Sequence, residues 1–121
     1  MIFQEIFDTA ARGIISQGGP SYVGKSLSIS CRYRVGDRKC AAGWLIPDEA
    51  YEANFEGHSW SIVPYSLNFD EEQNAFIAQL QNIHDGAAFR KVNDGEDFFA
   101  LWKPEMRALA AWYDLDPSVL D

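Results

Sequence analysis

The chain has no apolar run approaching the roughly 20 residues that a membrane-spanning helix needs. It is equally short of the groups from which metal and nucleophile sites are usually built, with two cysteines and two histidines among 121 residues. A structural zinc wants four ligands at recognisable spacing. His58 and His84 lie far in sequence from each other and from Cys31 and Cys40, so the sequence points to no metal and no cofactor. Basic residues are also scarce: ten against eighteen acids, a net charge of −8. That balance argues against direct binding to nucleic acid, whose affinity comes largely from neutralised phosphates. Glu5 and Asp8 stand where a secretory leader would be basic and then apolar, so the expectation is a cytoplasmic protein with no membrane association.

What the chain does have is 47% apolar and 14% aromatic residues. That is enough to fold one core, and 1–121 reads as a single domain. From Ser26 to Val35 the residues alternate, with Ser26, Ser28, Ser30, Arg32 and Arg34 on one side and Leu27, Ile29, Cys31, Tyr33 and Val35 on the other. Period-two alternation predicts a strand with one buried face. Gly36-Asp37 then suits a two-residue hairpin turn. This register sets Val35 opposite Arg38, Tyr33 opposite Cys40, Cys31 opposite Ala42 and Ile29 opposite Trp44, which keeps the apolar face apolar on both strands. Cys31 and Cys40 then read as small buried hydrophobes. Pro47 followed by Asp48 and Glu49 predicts the start of an acidic helical segment that ends near Gly57.

Elsewhere, Phe3, Phe7, Ala10 and Ile14 recur at helical spacing and predict an amphipathic helix over 2–17, stopped by Gly18-Gly19-Pro20. A second helix is expected over 71–84, capped by Asp70 with Gln73 three residues on, and with Phe76, Ile77, Leu80 and Ile83 as its apolar stripe. Residues 58–69 read as a short helical turn and a loop, and Asn93-Asp94-Gly95 as a turn. A third helix is expected from Pro104 to about Tyr113, and the acidic tail is expected to fray or to dock through Leu120. The predicted fold class is α+β: a mostly helical small domain packed around one antiparallel β-hairpin, with helices 2–17 and 71–84 covering the ribbon.

Residues Cys31, Tyr33-Arg34, Lys39-Cys40-Ala41, Gly43, Leu45-Ile46-Pro47-Asp48-Glu49, Tyr51 and Glu56-Gly57 together resemble the core pattern of a small uncharacterised family of phage and prophage proteins. Weaker echoes lie at Gln4 to Asp8 and Leu80 to Asp85, and the likeness spans about half the chain. It departs where that family has a glycine-rich hairpin turn, replaced here by Val35-Gly36-Asp37. The resemblance implies a phage or prophage origin, hence the cytoplasm of a host cell, and no particular chemistry.

Three functions follow as expectations. Acids clustered at Asp48, Glu49, Glu52 and Glu56, at Asp70-Glu71-Glu72, and at Asp94-Glu96-Asp97 suit an acidic interaction protein that binds and modulates or inhibits a host protein, an anti-defence role being one form of it. The basic window from Lys25 to Lys39 is net +4, leaving −12 for the remainder. Arg32, Arg34 and Lys39, with Tyr33 beside them, could instead grip a nucleotide or another phosphorylated metabolite. The bland alternative for that patch is pairing with the chain's own acids. Third, His58, His84-Asp85 and Asp94 or Asp97 loosely resemble the ligand set of metal-dependent phosphohydrolases. Helix-end and turn chemistry explains those residues without catalysis, and the sequence favours a protein that is not an enzyme.

Overall fold

A computed structural model describes residues 1–121. Three α-helices, α1 (Phe3–Gln17), α2 (Glu71–Asp94) and α3 (Phe98–Trp112), enclose a core with two minimal antiparallel ribbons, β1 (Tyr22–Val23) with β2 (Ser30–Cys31) and β3 (Arg34–Val35) with β4 (Arg38–Lys39). Between Ala42 and Asn68 the chain advances through five short 3-10 turns. The α+β class read from the sequence is what folds.

α1 forms where the periodicity placed it. Ile6, Phe7, Ala10 and Ile14 are fully buried, and Gly18 closes the helix in the left-handed conformation at φ 81°. α2 opens with the reciprocal cap read from Asp70 and Gln73: Gln73 N–H donates to Asp70 Oδ1 at 2.8 Å and Asp70 N–H donates to Gln73 Oε1 at 3.1 Å. It runs on through Gly86 to Asp94, past the expected end at 84. Gly86 sits on the exposed side, while Ala87 and Ala88 prolong the buried face, so nothing there halts the helix. Gly95, at φ 70°, ends it instead.

α3 starts six residues before the proline expected to open it. Phe98, Trp102, Met106 and Leu109 supply a continuous buried stripe, and Asp97 caps the helix by accepting from Ala100 N–H at 2.9 Å. Pro104 therefore lies inside the helix. It has no N–H to give the Ala100 carbonyl, and both residues are exposed. The tail docks: Leu120 is fully buried, and Gln4 exchanges two hydrogen bonds with the Asp116 backbone at 2.8 and 2.9 Å.

The hairpin is shorter than its alternation predicts. The turn at Gly36-Asp37 and the Val35–Arg38 pairing stand, Arg34 faces Lys39, and Cys40 N–H still reaches Tyr33 O at 3.2 Å. There the strands part. Cys31 pairs with Tyr22 rather than Ala42, and Arg32 N–H donates to Ser21 O at 3.3 Å. Ser26–Ser28 is a 3-10 turn with Leu27 80% exposed, and Ala42–Leu45 is another against α1. Gly43 is pressed so closely on the Tyr33 carbonyl, and Gly13 of α1 on the Trp44 indole, that a Cβ at either position would collide. Small residues let the chain turn in beneath α1, and that packing outweighs further strand pairing.

The acidic segment after Pro47 is likewise not one helix. Turns at Asp48–Ala50 and Ala53–Phe55 are separated by Tyr51 and Glu52 in extended conformation. Glu56 provides the reason. Its carboxylate accepts from Tyr33 N–H at 2.9 Å, Arg34 N–H at 3.1 Å and Tyr51 O–H at 2.6 Å, tying this segment back to β3. Trp60 and Tyr65 pack against Phe69 at the edge of the core. Removing the Glu56 carboxylate strands two backbone donors, so Glu56→Ala is expected to lower the unfolding free energy by about 2–4 kcal/mol in urea titration. A loss below about 0.5 kcal/mol would show that Glu56 does not hold the segment.

Candidate functional site

The expected phosphate-binding face is occupied by the protein itself. Arg34 Nη1 contacts Asp48 Oδ1 at 2.9 Å and Lys39 Nζ contacts the same oxygen at 3.3 Å. Arg34 Nη2 donates to Ile46 O at 2.8 Å, the guanidinium carbon lies 4.6 Å from the Tyr51 ring centroid, and Nε is buried without a partner. Lys39 Nζ sits 4.6 Å from the Trp44 ring. Lys39 and then Arg34 hold the Asp48 carboxyl below its ordinary range. Tyr33 is buried, with its hydroxyl donating to His58 O at 2.7 Å. Arg32 alone stays exposed and outside any ion pair. Pairing with the chain's own acids, the bland alternative for this patch, describes its geometry, and Asp48 is the acid.

The acids at 48–56 divide accordingly. Asp48 and Glu56 are engaged internally, and only Glu49 and Glu52 face water unpaired. Glu96 and Asp94 both pair with Arg90, and Asp97 caps α3. Of the three clusters read from the sequence, Asp70-Glu71-Glu72 alone remains outside any ion pair, and the fold enlarges it. Gln73 donates to Met1 O, Gln4 binds Asp116, and Phe3, Phe76 and Tyr113 stack with centroids 4.6–5.5 Å apart. One pole of the molecule thereby gathers Glu5, Asp8, Asp70, Glu71, Glu72, Asp114 and Asp116. No Lys or Arg pairs with any of them.

The best-formed cavity lies elsewhere, between the 57–61 segment, β2 and the middle of α2. It holds about 350 Å³, and its walls include Cys31, Tyr33, His58, Ser59, Trp60, Ser61, Asn82 and Asp85. Behind it, α2 places Gln81, His84 and Asp85 on the side facing the irregular middle of the chain. Gln81 Oε1 accepts from Ala42 N–H at 3.0 Å while its Nε2 donates to Asp85 Oδ1 at 2.7 Å. His84, fully buried, accepts from Ser21 N–H at Nε2 (3.0 Å) and approaches Asp85 Oδ1 with Nδ1 at 2.9 Å. A backbone N–H can only donate, so Nε2 is unprotonated and Nδ1 carries the proton to Asp85.

Cys31, His84 and Asp85 bring one ligand atom each within 4.8 Å of one another, which invites a metal or Cys–His reading. The hydrogen bonds decide against both. A metal on Nδ1 would have to displace the proton given to Asp85, and moving that proton to Nε2 would set it against Ser21 N–H. His84 has no free nitrogen with which to take a proton from Cys31. Burial and then the Asp85 charge push the Cys31 thiol from 9.0 up to about 12. Burial likewise raises Cys40, which is fully buried as the sequence reading expects, whereas Cys31 is only partly buried and stands on the cavity wall. His58, exposed on the cavity wall, does not join His84 in this cluster. The phosphohydrolase resemblance thus lacks its central ligand.

Sequence reasoning marked His84-Asp85 but missed Gln81, Asn82 and the 58–61 wall. Gln81 lies one helical turn before Asp85, which puts both on one face; nothing in the sequence joins 58–61 to them. No protein-family model, curated protein or solved structure matches the chain.

Folding holds the Cys31 proton from 9.0 up to about 12. The folded chain therefore binds it more tightly than the unfolded chain, and this contribution to stability is whole below pH of about 9 and declines as pH rises towards 12. At about pH 8, native protein is expected to resist iodoacetamide while the urea-unfolded chain is alkylated at both thiols. Rapid native alkylation at Cys31 would contradict this placement.

Proposed function

We propose that this chain is an acidic interaction protein that docks its α1–α2–tail pole on a basic surface of a host protein and so modulates or inhibits it. The observation that carries the reading is the pole itself. Seven carboxylates from three separate stretches converge there with no ion pair among them, whereas Asp48, Asp94, Glu96 and Asp121 are each matched by a cation. Unneutralised charge of one sign on one face steers a partner of the opposite sign. The resemblance to phage proteins supplies the host context and suggests a defence complex as the class of target.

The nucleotide reading receives less support, because Asp48 already occupies the two cations that would have gripped phosphate. No assembled nucleophile, base or metal set supports an enzyme.

The test is capture from host lysate on immobilised chain at low and high salt, comparing wild type with the Glu71→Gln, Glu72→Gln, Asp114→Asn triple variant. These side chains make no bond within the protein, and Asn tolerates the positive φ of Asp114. A partner held at low salt, released at high salt and associating about tenfold more slowly with the variant is the expected result. No salt-labile partner, or one that binds the variant equally fast, would overturn the reading.

A further inference from the structure

The geometry points to a second site, independent of the acidic pole: we infer that the cavity fronted by Asp85 binds an organic cation, an ammonium or guanidinium group. Its volume of about 350 Å³ falls within the range of small-molecule sites, about 300–1,000 Å³. Asp85 is the only acid among its walls, and neither Lys nor Arg lines it. Oδ1 of Asp85 is pinned by His84 Nδ1–H and Gln81 Nε2–H. Both donors are in turn fixed at their far ends by Ser21 N–H and Ala42 N–H, so the carboxylate is held at one angle before any ligand arrives. The Cys31 thiol lies beside the Asp85 carboxylate, no N–H or O–H of the protein reaches Oδ2, and the side chain is 42% exposed.

A fixed carboxylate in a recess, with one oxygen that takes no N–H or O–H from the protein and only a weakly donating thiol beside it, is a receptor for a charged N–H donor. Other walls complement it. Trp60 gives its Nε1–H to Asn74 Oδ1 at 2.9 Å and Tyr33 gives its hydroxyl to His58 O at 2.7 Å, so both aromatic residues present carbon rather than unmet donors. Ser59 and Ser61 hydroxyls, 3.1 Å apart, and the unbonded Asn82 amide remain as acceptors for further N–H groups. A phosphate would meet Asp85 with no Lys or Arg to balance it and is excluded by the same charge.

Three probes separate the sources of such a cation: agmatine, putrescine, and the blocked peptide acetyl-Gly-Arg-Gly-amide. Butane-1,4-diol serves as the neutral control and inorganic phosphate as the anion. Backbone chemical-shift titration of the intact chain is expected to move the amides of Ser59, Asn82 and Asp85 with a cationic probe and not with the diol or phosphate. Asp85→Asn keeps an oxygen for His84 and Gln81 but loses the charge, and is expected to weaken binding at least tenfold with an unchanged melting temperature. Should that variant fold poorly, Ser61→Arg, at an exposed wall position, places the protein's own guanidinium at the recess and is expected to weaken the probes likewise. Binding of agmatine or putrescine supports a free small-molecule ligand, and binding of the peptide alone supports an arginine side chain of a protein partner. The inference is overturned if no cationic probe moves the cavity amides, if the Asp85 and Ser61 variants bind undiminished, or if phosphate binds better than agmatine. The Glu71, Glu72, Asp114 triple variant is expected to bind agmatine as wild type does, so this inference and the docking pole fail separately.

Discussion

The structure depends on side-chain acceptors that answer backbone N–H groups which no sheet is present to answer. Four strands of two residues each leave most of 20–69 without ladder partners, and an unpaired buried N–H costs about 1–3 kcal/mol. Helix-borne side chains take up that work. Gln17 of α1 accepts from Lys39 N–H at 2.8 Å, and α2 contributes Gln81 to Ala42 N–H at 3.0 Å and His84 to Ser21 N–H at 3.0 Å. Glu56 does the same from within the irregular segment for Tyr33 and Arg34. The helices are thus more than a cover: their polar residues on the inner side set where each turn of the middle lies.

That arrangement also sorts the charges. Carboxylates that look alike in sequence have different fates according to whether a backbone donor or a cation lies in reach. Glu56 and Asp48 are consumed by β3, β4 and Arg34, while Glu71 and Glu72 reach only water. Asp85 is intermediate, one oxygen anchored and the other open to a recess. His84 shows the same logic from the other side: its tautomer is fixed by Ser21 N–H, and a residue that suggests metal chemistry becomes a structural acceptor.

The sequence made the helical faces readable because their signals are local. The Phe3–Ile14 stripe, the Asp70–Gln73 cap and the Gly36-Asp37 turn each involve residues within a few positions of one another, and all three appear as read. The full-length ribbon did not form because alternation from Ser26 to Val35 reports only what a strand would need. It carries no information on Ser21 competing for Arg32, or on the glycines that admit Trp44 and Tyr33 to close contact. Pro104 misled because a proline in the first turn and a proline on an exposed helix face look the same until the apolar stripe from Phe98 is given more weight. The cavity could not be read at all, since its walls come from stretches near 30, 60 and 80 that meet only in the fold.

The fold requires these side-chain acceptors to hold the middle of the chain as firmly as a sheet would. Amide hydrogen exchange on the native chain measures that directly. Ser21, Tyr33, Arg34, Lys39 and Ala42 N–H should be protected to the level of the buried turns of α2, because each is bonded to the side chain of His84, Glu56, Gln17 or Gln81. Exchange of those five amides at the rate of an open loop, with α2 still protected, would contradict the account.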